Sequence, residues 1–145
     1  MKASRRLRKD ELVTTYSEKE TFLLAKELAQ GFKGNEVVLL EGELGSGKTV
    51  FAKGIASGLG LKDVHQVCSP SFTLINIYQA KFPIYHIDLY RLEKSTEILD
   101  LGWEDYLGKG VVVVEWAEKI RFKMDGIQVT LKIGEKDKRK IRIHY

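Results

Sequence analysis

The chain has 145 residues, of which 43% are hydrophobic and 30% charged, and its net charge is +4 at pH 7. This length favours a single domain that buries about two thirds of its unfolded surface. No apolar run approaches the ~20 residues of a membrane span, and the basic N-terminus lacks the apolar core of a signal peptide, so we expect a cytoplasmic protein without membrane contact.

Positive charge is concentrated at the two ends of the chain. Residues 1–9 carry five Lys or Arg and no acid, and residues 132–145 carry six against two acids, so the middle is net acidic. Basic ends can contact RNA phosphates, or they can simply be solvated, and net charge leaves both interpretations open. We treat residues 1–13 as a basic N-terminal tail and residues 14–145 as one domain.

A helix is predicted directly after the tail. Ser17 is a good N-cap residue, and Glu20 three positions later completes a capping-box pattern. Phe22, Leu23 and Leu28 then follow at helical spacing.

The next segment, GELGSGKT at residues 42–49, has the spacing of a P-loop between a short apolar strand and an amphipathic helix over 47–60. In such a loop, backbone N–H groups surround the nucleotide phosphates, Lys48 reaches the β- and γ-oxygens, and the Thr49 hydroxyl is a ligand for Mg²⁺. The predicted nucleotide-binding residues are Gly42, Glu43, Leu44, Gly45, Ser46, Gly47, Lys48, Thr49 and Val50.

Residues 65–79, HQVCSPSFTLINIYQ, contain two short β-prone runs separated by Pro70. Ser69 and Ser71 beside this proline can contact a metal-bound water or the γ-phosphate, or they can only shape a turn. Cys68 is the one cysteine of the chain, which argues against a disulfide framework and predicts a buried, inert thiol.

Two later apolar runs, IYHID and VVVVE, each end in a carboxylate, at Asp88 and Glu115. Strand-end acids lie at the carboxyl edge of a parallel sheet, where a P-loop site needs an acid for Mg²⁺. Taken singly, either acid can instead be a helix cap or a solvated strand end. His86 shares the face of Asp88, but the three histidines lack the spacing of metal ligands, so we expect no zinc.

The polar segment 92–107 between these runs is predicted to be helical, and residues 126–145 are predicted to form a β-hairpin. Buried strands that alternate with helices indicate an α/β fold. We therefore predict a P-loop NTPase-like three-layer fold with a mixed, mainly parallel sheet and a C-terminal β-hairpin.

The nucleotide is predicted to be ATP or ADP, because no guanine-reading Asn-Lys-x-Asp or Thr-Lys-x-Asp is present. None of the arginines outside the tail is clearly an arginine finger, so hydrolysis by the isolated chain is expected to be slow. A stand-alone small-molecule kinase and a nucleic-acid-stimulated ATPase remain alternatives. The kinase would need a second substrate pocket, for which little chain is left once the sheet is built.

Four motifs, LEGELGSGKT, SPSFTL, HIDLYR and VVVVEWAEK, occur in this order and at these separations. Over about residues 14–120 the chain resembles the TsaE family, the small bacterial ATPases of tRNA threonylcarbamoyladenosine (t6A) synthesis. The resemblance implies a P-loop domain that binds ATP and Mg²⁺. It also implies gating or resetting of TsaD and TsaB, which attach threonylcarbamoyl to adenosine 37 of tRNA.

The resemblance also implies roles for individual residues. Lys48, Asp88 and Glu115 would be catalytic, with Thr49, Asp88 and Glu115 as metal ligands and Thr21 near the base. The family usually has Ser-Pro-Thr-Phe where this chain has Ser71 in the third place, which keeps the hydroxyl. Switch or partner-sensing roles would fall to Ser69, Ser71, Phe72, His86, Tyr90, Arg91 and Trp116.

Overall fold

One mixed β-sheet organises the part of the chain that the computed structural model describes, namely residues 10–70, 74–93, 97, 100, 102–120 and 123–145. The α-helices whose bounds are described are α1 (Glu18–Ala29) and α2 (Lys48–Gly58), and Val64–Gln66, Trp103–Tyr106 and Ala117–Lys119 form short 3₁₀ helices. The strands are β1 (Asp10–Thr15), β2 (Val37–Glu41), β3 (Ile75–Gln79), β4 (Pro83–Asp88), β5 (Val111–Glu115), β6 (Ile127–Ile133) and β7 (Arg139–His144).

The described strands lie in the order β1-β7-β6-β2-β5-β4-β3. The four central strands β6, β2, β5 and β4 are parallel, while β3 and the β7–β1 pair add antiparallel edges. The predicted α/β class, the mixed sheet and the C-terminal hairpin are thereby confirmed. Parallel pairing is confined to the centre, where the carboxyl ends of four strands meet along one edge.

Both faces of the central sheet are covered, which explains the uninterrupted apolar run of β5. Val111 and Val113 pack with α1 and α2 on one face, and Val112 and Val114 pack on the other face with Trp103 and Ala117 of the 3₁₀ segments. The helical face carries the larger apolar cluster, which includes Leu28, Leu40, Phe51, Ile55, Val129, Ile141 and Ile143.

The two helices cross at very close range because α2 carries glycines at the crossing. A Cβ added to Gly54 would lie 2.3 Å from the Phe22 carbonyl oxygen, and one added to Gly58 would lie 2.4 Å from that of Lys26. No side chain fits at either position, so the small residues of α2 fix its distance from α1. This packing holds the first turn of α2, and with it the P-loop, against the body of the domain.

The start of α1 is confirmed, since the Ser17 side chain accepts a hydrogen bond from the Glu20 N–H at 3.1 Å. Neither described helix has the length and apolar character needed to cross a bilayer.

Three local features differ from the sequence-based expectations or fall outside them. β1 was not predicted, and its first residues lie in the segment treated as tail; it pairs with β7 from Asp10 opposite His144 to Thr15 opposite Arg139. The run before Pro70 contains no strand: His65 and Gln66 lie in the 3₁₀ helix Val64–Gln66, which the Asp63 carboxylate caps by accepting from the His65 N–H at 3.0 Å, and residues 67–69 are irregular. In the predicted helix over 92–107, Glu97 and Asp100 are α-helical and Trp103–Tyr106 is a 3₁₀ helix, while residues 94–96, 98–99 and 101 lie outside the described part of the chain.

Candidate functional site

The predicted P-loop joins β2 to α2 at the carboxyl edge of the parallel strands. Gly42 and Gly47 have φ angles of 156° and 105°, which residues with a side chain rarely adopt. A Cβ on Gly42 would also lie 2.5 Å from Ser46 Oγ and 2.7 Å from the Leu131 carbonyl oxygen. The loop therefore requires glycine at Gly42 for space as well as for conformation. At the tip, Glu43, Leu44 and Gly45 are exposed.

The Lys48 side chain is buried and folds back onto its own loop. Its Nζ donates to the carbonyl oxygens of Gly42 and Glu43, the second at 3.0 Å, and lies 3.9 Å from the centre of the Trp116 ring. Burial lowers the pKa of Lys48 below its usual value, while the carboxylates of Glu118, Glu115 and Asp88 act in the opposite direction. A phosphate bound at this loop would have to compete with these carbonyl oxygens for the ammonium group.

Glu115 ends β5 beside the P-loop helix, and it is almost fully buried. Thr49 Oγ1 donates to its carboxylate at 3.1 and 3.3 Å from the two oxygens, and His86 Nε2 lies 2.5 Å from Oε2. The predicted metal ligands Thr49 and Glu115 are thus in direct contact. His86 comes from the buried interior and Thr49 is half-buried, and together they hold the carboxylate in place.

Asp88 lies next to Glu115, since the two residues are register partners in the parallel pair β4–β5. Its Oδ2 accepts from Ser69 Oγ, and its Oδ1 accepts from the Tyr90 N–H at 2.8 Å. Ser69 belongs to the loop before β3, and Tyr90 follows β4. The two carboxylates therefore face the P-loop together, while their partners come from different parts of the molecule.

A chain of hydrogen bonds extends from Glu115 to the loop that contains Ser69. His86 Nδ1 lies 3.1 Å from the Tyr78 hydroxyl, which in turn lies 3.3 Å from the Cys68 carbonyl oxygen. Burial raises the pKa of Tyr78, so the phenol remains a hydrogen-bond donor at neutral pH. The expectation of a buried Cys68 is wrong: its side chain is exposed, and its backbone carbonyl is what the network uses.

The segment after β5 borders the site from a third side. Trp116 adopts a left-handed backbone conformation with φ of 61°. The centre of its ring lies 5.0 Å from the centre of the Tyr90 ring. Glu118 accepts from the Gly42 N–H at 3.1 Å, and Lys119 Nζ donates to the carbonyl oxygens of Tyr90 and Leu92, the second at 3.0 Å. Neither Glu118 nor Lys119 was predicted; their position in the turn after the strand-end Glu115 was the available signal.

The other side of the P-loop faces α1 and the β6–β7 turn. A small cavity of about 30 Å³ lies here, and Thr21, Val50 and Arg139 are among the residues that line it. The buried Thr21 hydroxyl lies 2.7 Å from that of Thr15. Of the other predicted residues, Arg91 is exposed and Ser71 and Phe72 lie outside the described part of the chain.

The oxygen atoms gathered at the mouth of the loop suit Mg²⁺. Among the described residues no group of three or more His, Cys, Asp or Glu is placed to hold a metal ion. Mg²⁺ commonly binds through one or two carboxylates together with substrate phosphates, so a full protein cage is not required. Thr49, Asp88 and Glu115 could therefore hold Mg²⁺ jointly with nucleotide phosphates.

The strand, glycine loop and helix, followed by parallel strands that end in acids, define a P-loop-type α/β protein. YdiB from Bacillus subtilis, known from a crystal structure, is similar in fold, with a TM-score of 0.72 and 33% identity over 96% of this chain and 87% of that one.

Sequence comparison identifies the family. The family profile described as threonylcarbamoyl adenosine biosynthesis protein TsaE matches residues 15–142. Two proteins described as tRNA threonylcarbamoyladenosine biosynthesis protein TsaE illustrate the similarity. The one from Aquifex aeolicus is 43% identical over 88% of this chain and 91% of its own length. The one from Bacillus subtilis is 42% identical over 88% and 80%. The chain belongs to the TsaE family of t6A biosynthesis proteins.

Proposed function

We propose that this chain is a slow Mg²⁺-dependent ATPase of t6A biosynthesis, which gates or resets a TsaD–TsaB complex in the cytoplasm. The observation that carries the proposal is the direct contact between Thr49 and Glu115, with Asp88 beside them at the mouth of the P-loop. In P-loop NTPases, Mg²⁺ is held by a threonine or serine that follows the P-loop lysine together with a strand-end acid.

In this proposal each residue has a defined task. The P-loop amides bind the phosphates, and Lys48 leaves the carbonyl oxygens of Gly42 and Glu43 to bind phosphate oxygens. Thr49 and one strand-end acid hold Mg²⁺, which when bound neutralises charge on the β- and γ-phosphates. The other acid orients the attacking water.

Slow hydrolysis is consistent with the position of Arg139. Its guanidinium faces carbonyl oxygens of the P-loop and of the β6–β7 turn, so it does not approach the site from the phosphate side. A missing arginine finger lowers P-loop hydrolysis rates by roughly 10³ to 10⁵. Such a site is better suited to controlling a partner than to rapid turnover.

Control of a partner requires that the surface differ between nucleotide states. The Trp116 ring contacts Lys48, and Ser69 contacts Asp88, so residues that bind phosphate or metal are connected to Trp116, Tyr90 and the Ser69 loop. A partner that binds two arrangements of this rim unequally would change nucleotide affinity, and the nucleotide would change partner affinity by the same factor.

The nucleotide site is tested by Lys48→Ala, with Lys53→Ala in the same helix as the matched control. We expect about 100-fold weaker binding of ATP with Mg²⁺ for Lys48→Ala, since an ammonium group that contacts phosphate is lost. The Lys53 variant should bind normally. Calorimetric titration measures both, and undiminished affinity of Lys48→Ala would contradict the assignment.

The partner role is tested by measuring ATP and ADP affinities with and without the TsaD–TsaB pair, together with multiple-turnover tRNA modification. We expect the pair to change nucleotide affinity by about 5- to 150-fold, the usual range of coupling between sites. Equal affinities and unaltered modification without this chain would contradict the proposal. A phosphorylated small-molecule product would favour the kinase alternative, and stimulation of ATP hydrolysis by RNA without any protein would favour the nucleic-acid-stimulated ATPase.

We also propose that the basic C-terminal hairpin contacts tRNA directly. Lys132 and Lys140 are exposed register partners on β6 and β7, on the sheet face opposite α1 and α2. Like charges opposite each other are unfavourable in isolation, and phosphate groups of RNA would offset their repulsion. The double variant Lys132→Gln with Lys140→Gln should weaken tRNA binding. The slope of log affinity against log salt concentration should become smaller in magnitude by about 2, about 1 for each lysine removed. The double variant Lys19→Gln with Lys62→Gln removes the same charge elsewhere and is the control.

A further inference from the structure

Arg139 connects the P-loop to the C-terminal hairpin. From the start of β7, its Nε donates to the Ser46 carbonyl oxygen at 3.2 Å and its Nη2 donates to that of Gly45 at 3.1 Å. The remaining nitrogen, Nη1, donates to the carbonyl oxygens of Lys136 and Lys138 at 3.1 and 2.9 Å. One guanidinium therefore binds two consecutive P-loop carbonyls and two carbonyls of the β6–β7 turn.

These contacts determine the direction of the amides that follow. In a trans peptide the C=O and N–H groups point in opposite directions, so binding the carbonyls of Gly45 and Ser46 directs the N–H groups of Ser46 and Gly47 away from Arg139. The Ser46 N–H donates to the Glu43 carbonyl oxygen at 3.0 Å and closes the turn. The positive charge on the carbonyl side also polarises both peptides and makes the Gly47 N–H a stronger donor to an anion.

The tip of the loop has few other contacts that could hold this orientation. Leu44 is 73% exposed, and a Cβ placed on Gly45 would have no atom within 4 Å. Glycine also loses more backbone entropy than other residues when it is ordered. Without the guanidinium, the Gly45–Ser46 peptide would keep its bond from the Ser46 N–H to Glu43, but the Ser46–Gly47 peptide would be less restrained, and a bound phosphate would have to order it.

We infer that Arg139 is a positioning residue for the P-loop, which orients its amides for phosphate from the opposite side of the loop without touching the nucleotide. This inference rests on the proposed nucleotide binding. It differs from an arginine-finger role, in which the guanidinium faces the transferred phosphate. An oriented loop binds phosphate more tightly because less ordering remains to be done on binding.

The planar fork of arginine is essential to this role. A lysine ammonium at the same position keeps the charge but is a single point donor, which does not reproduce parallel bonds to two neighbouring carbonyls. Arg139→Lys therefore separates the geometry from the charge. Arg142→Gln is the matched control for charge, because Arg142 lies three residues later on the same strand, exposed on the other sheet face.

The test compares ADP affinity by calorimetry and the single-turnover rate of ATP hydrolysis at saturating ATP. For Arg139→Gln we expect roughly 10-fold weaker ADP binding, with a saturated rate within about threefold of the parent, because bound phosphate then orders the loop itself. Arg139→Lys should also bind ADP more weakly, by about threefold or more. Arg142→Gln should bind ADP like the parent.

Amide hydrogen exchange of residues 45–48 in the nucleotide-free protein gives a second readout that does not depend on nucleotide binding. We expect faster exchange in both Arg139 variants, with thermal unfolding of the domain as a check that the fold is retained. If the parent does not bind ADP, the proposed nucleotide binding fails while this exchange measurement still tests the contact. Unchanged exchange, or an Arg139→Lys variant that binds ADP like the parent, would overturn the inference. Equal weakening by Arg142→Gln would also overturn it.

Discussion

The carboxylates of Asp88 and Glu115 occupy equivalent positions at the ends of neighbouring parallel strands, yet they are held by different kinds of partner. Glu115 contacts the half-buried Thr49 of α2 and the fully buried His86 of β4. Asp88 contacts Ser69, from the loop before β3, and the backbone N–H of Tyr90, whose side chain is 48% exposed. The core sets the position of Glu115, whereas residues near the surface set that of Asp88.

This difference separates two tasks that a regulatory nucleotide site requires. A fixed acid next to Thr49 suits the metal, because a metal ligand must keep its geometry between nucleotide states. An acid that is attached to surface segments suits the coupling of hydrolysis to a partner, because a movement of those segments changes its orientation. Within the proposed function, we therefore expect Glu115 to act mainly on the metal, and Asp88 to act mainly on the water and in the partner response.

The largest expected effect is on hydrolysis when either carboxylate loses its charge. Glu115→Gln and Asp88→Asn keep the size of the side chain, and we expect the single-turnover rate of ATP hydrolysis to fall about 100-fold or more in each, a typical loss for a group that stabilises transition-state charge. ADP binding should persist in at least one variant, because the P-loop makes most phosphate contacts. A variant that hydrolyses ATP at the parental rate would show that its carboxylate is structural.

The convergence of Thr49, Asp88 and Glu115 could be predicted because it follows from local patterns. A P-loop must follow a strand, and apolar runs that end in acids place those acids at the same sheet edge. The mixed α/β sheet and the hairpin were predictable for the same reason. The partners that distinguish the two acids were not, since Ser69 and Tyr90 depend on how the surface segments close over the edge.

The role of Arg139 illustrates a second limit. It lies 93 residues after Ser46 in sequence, and it reaches that residue only because β6 pairs with β2 and β7 pairs with β6. Local periodicity predicts each strand but not which strands become neighbours. β1 was missed for a related reason: its short, charged sequence is ordered chiefly by pairing with β7.

A smaller effect is expected on stability, where double-mutant cycles compare the two acids directly. We expect a coupling free energy of about 1 to 3 kcal/mol between His86 and Glu115, because removal of either leaves a buried polar partner unsatisfied. The coupling between Ser69 and Asp88 should be smaller, about 0.5 to 1 kcal/mol, since Ser69 is half-buried and water can replace its hydroxyl as a donor to the carboxylate. Denaturant unfolding of the alanine variants measures both cycles, and equal couplings would remove the distinction.

The smallest expected effect concerns Ser69, whose hydroxyl donates to the Asp88 carboxylate. In Ser69→Ala the carboxylate keeps the Tyr90 N–H but loses a donor to Oδ2, so its orientation becomes less defined while the P-loop is unaltered. We expect single-turnover hydrolysis to fall by about 10-fold or less, consistent with the loss of roughly one hydrogen bond, with unchanged ADP affinity. Ser69→Thr keeps a hydroxyl and should restore most of the rate, and Ser57→Ala in α2 is the control for a serine away from the site.

If the rate of Ser69→Ala equals that of the parent, Asp88 is oriented without the loop, and the assignment of the partner response to this carboxylate is wrong. If ADP affinity falls instead of the rate, Ser69 acts on the phosphate rather than through Asp88.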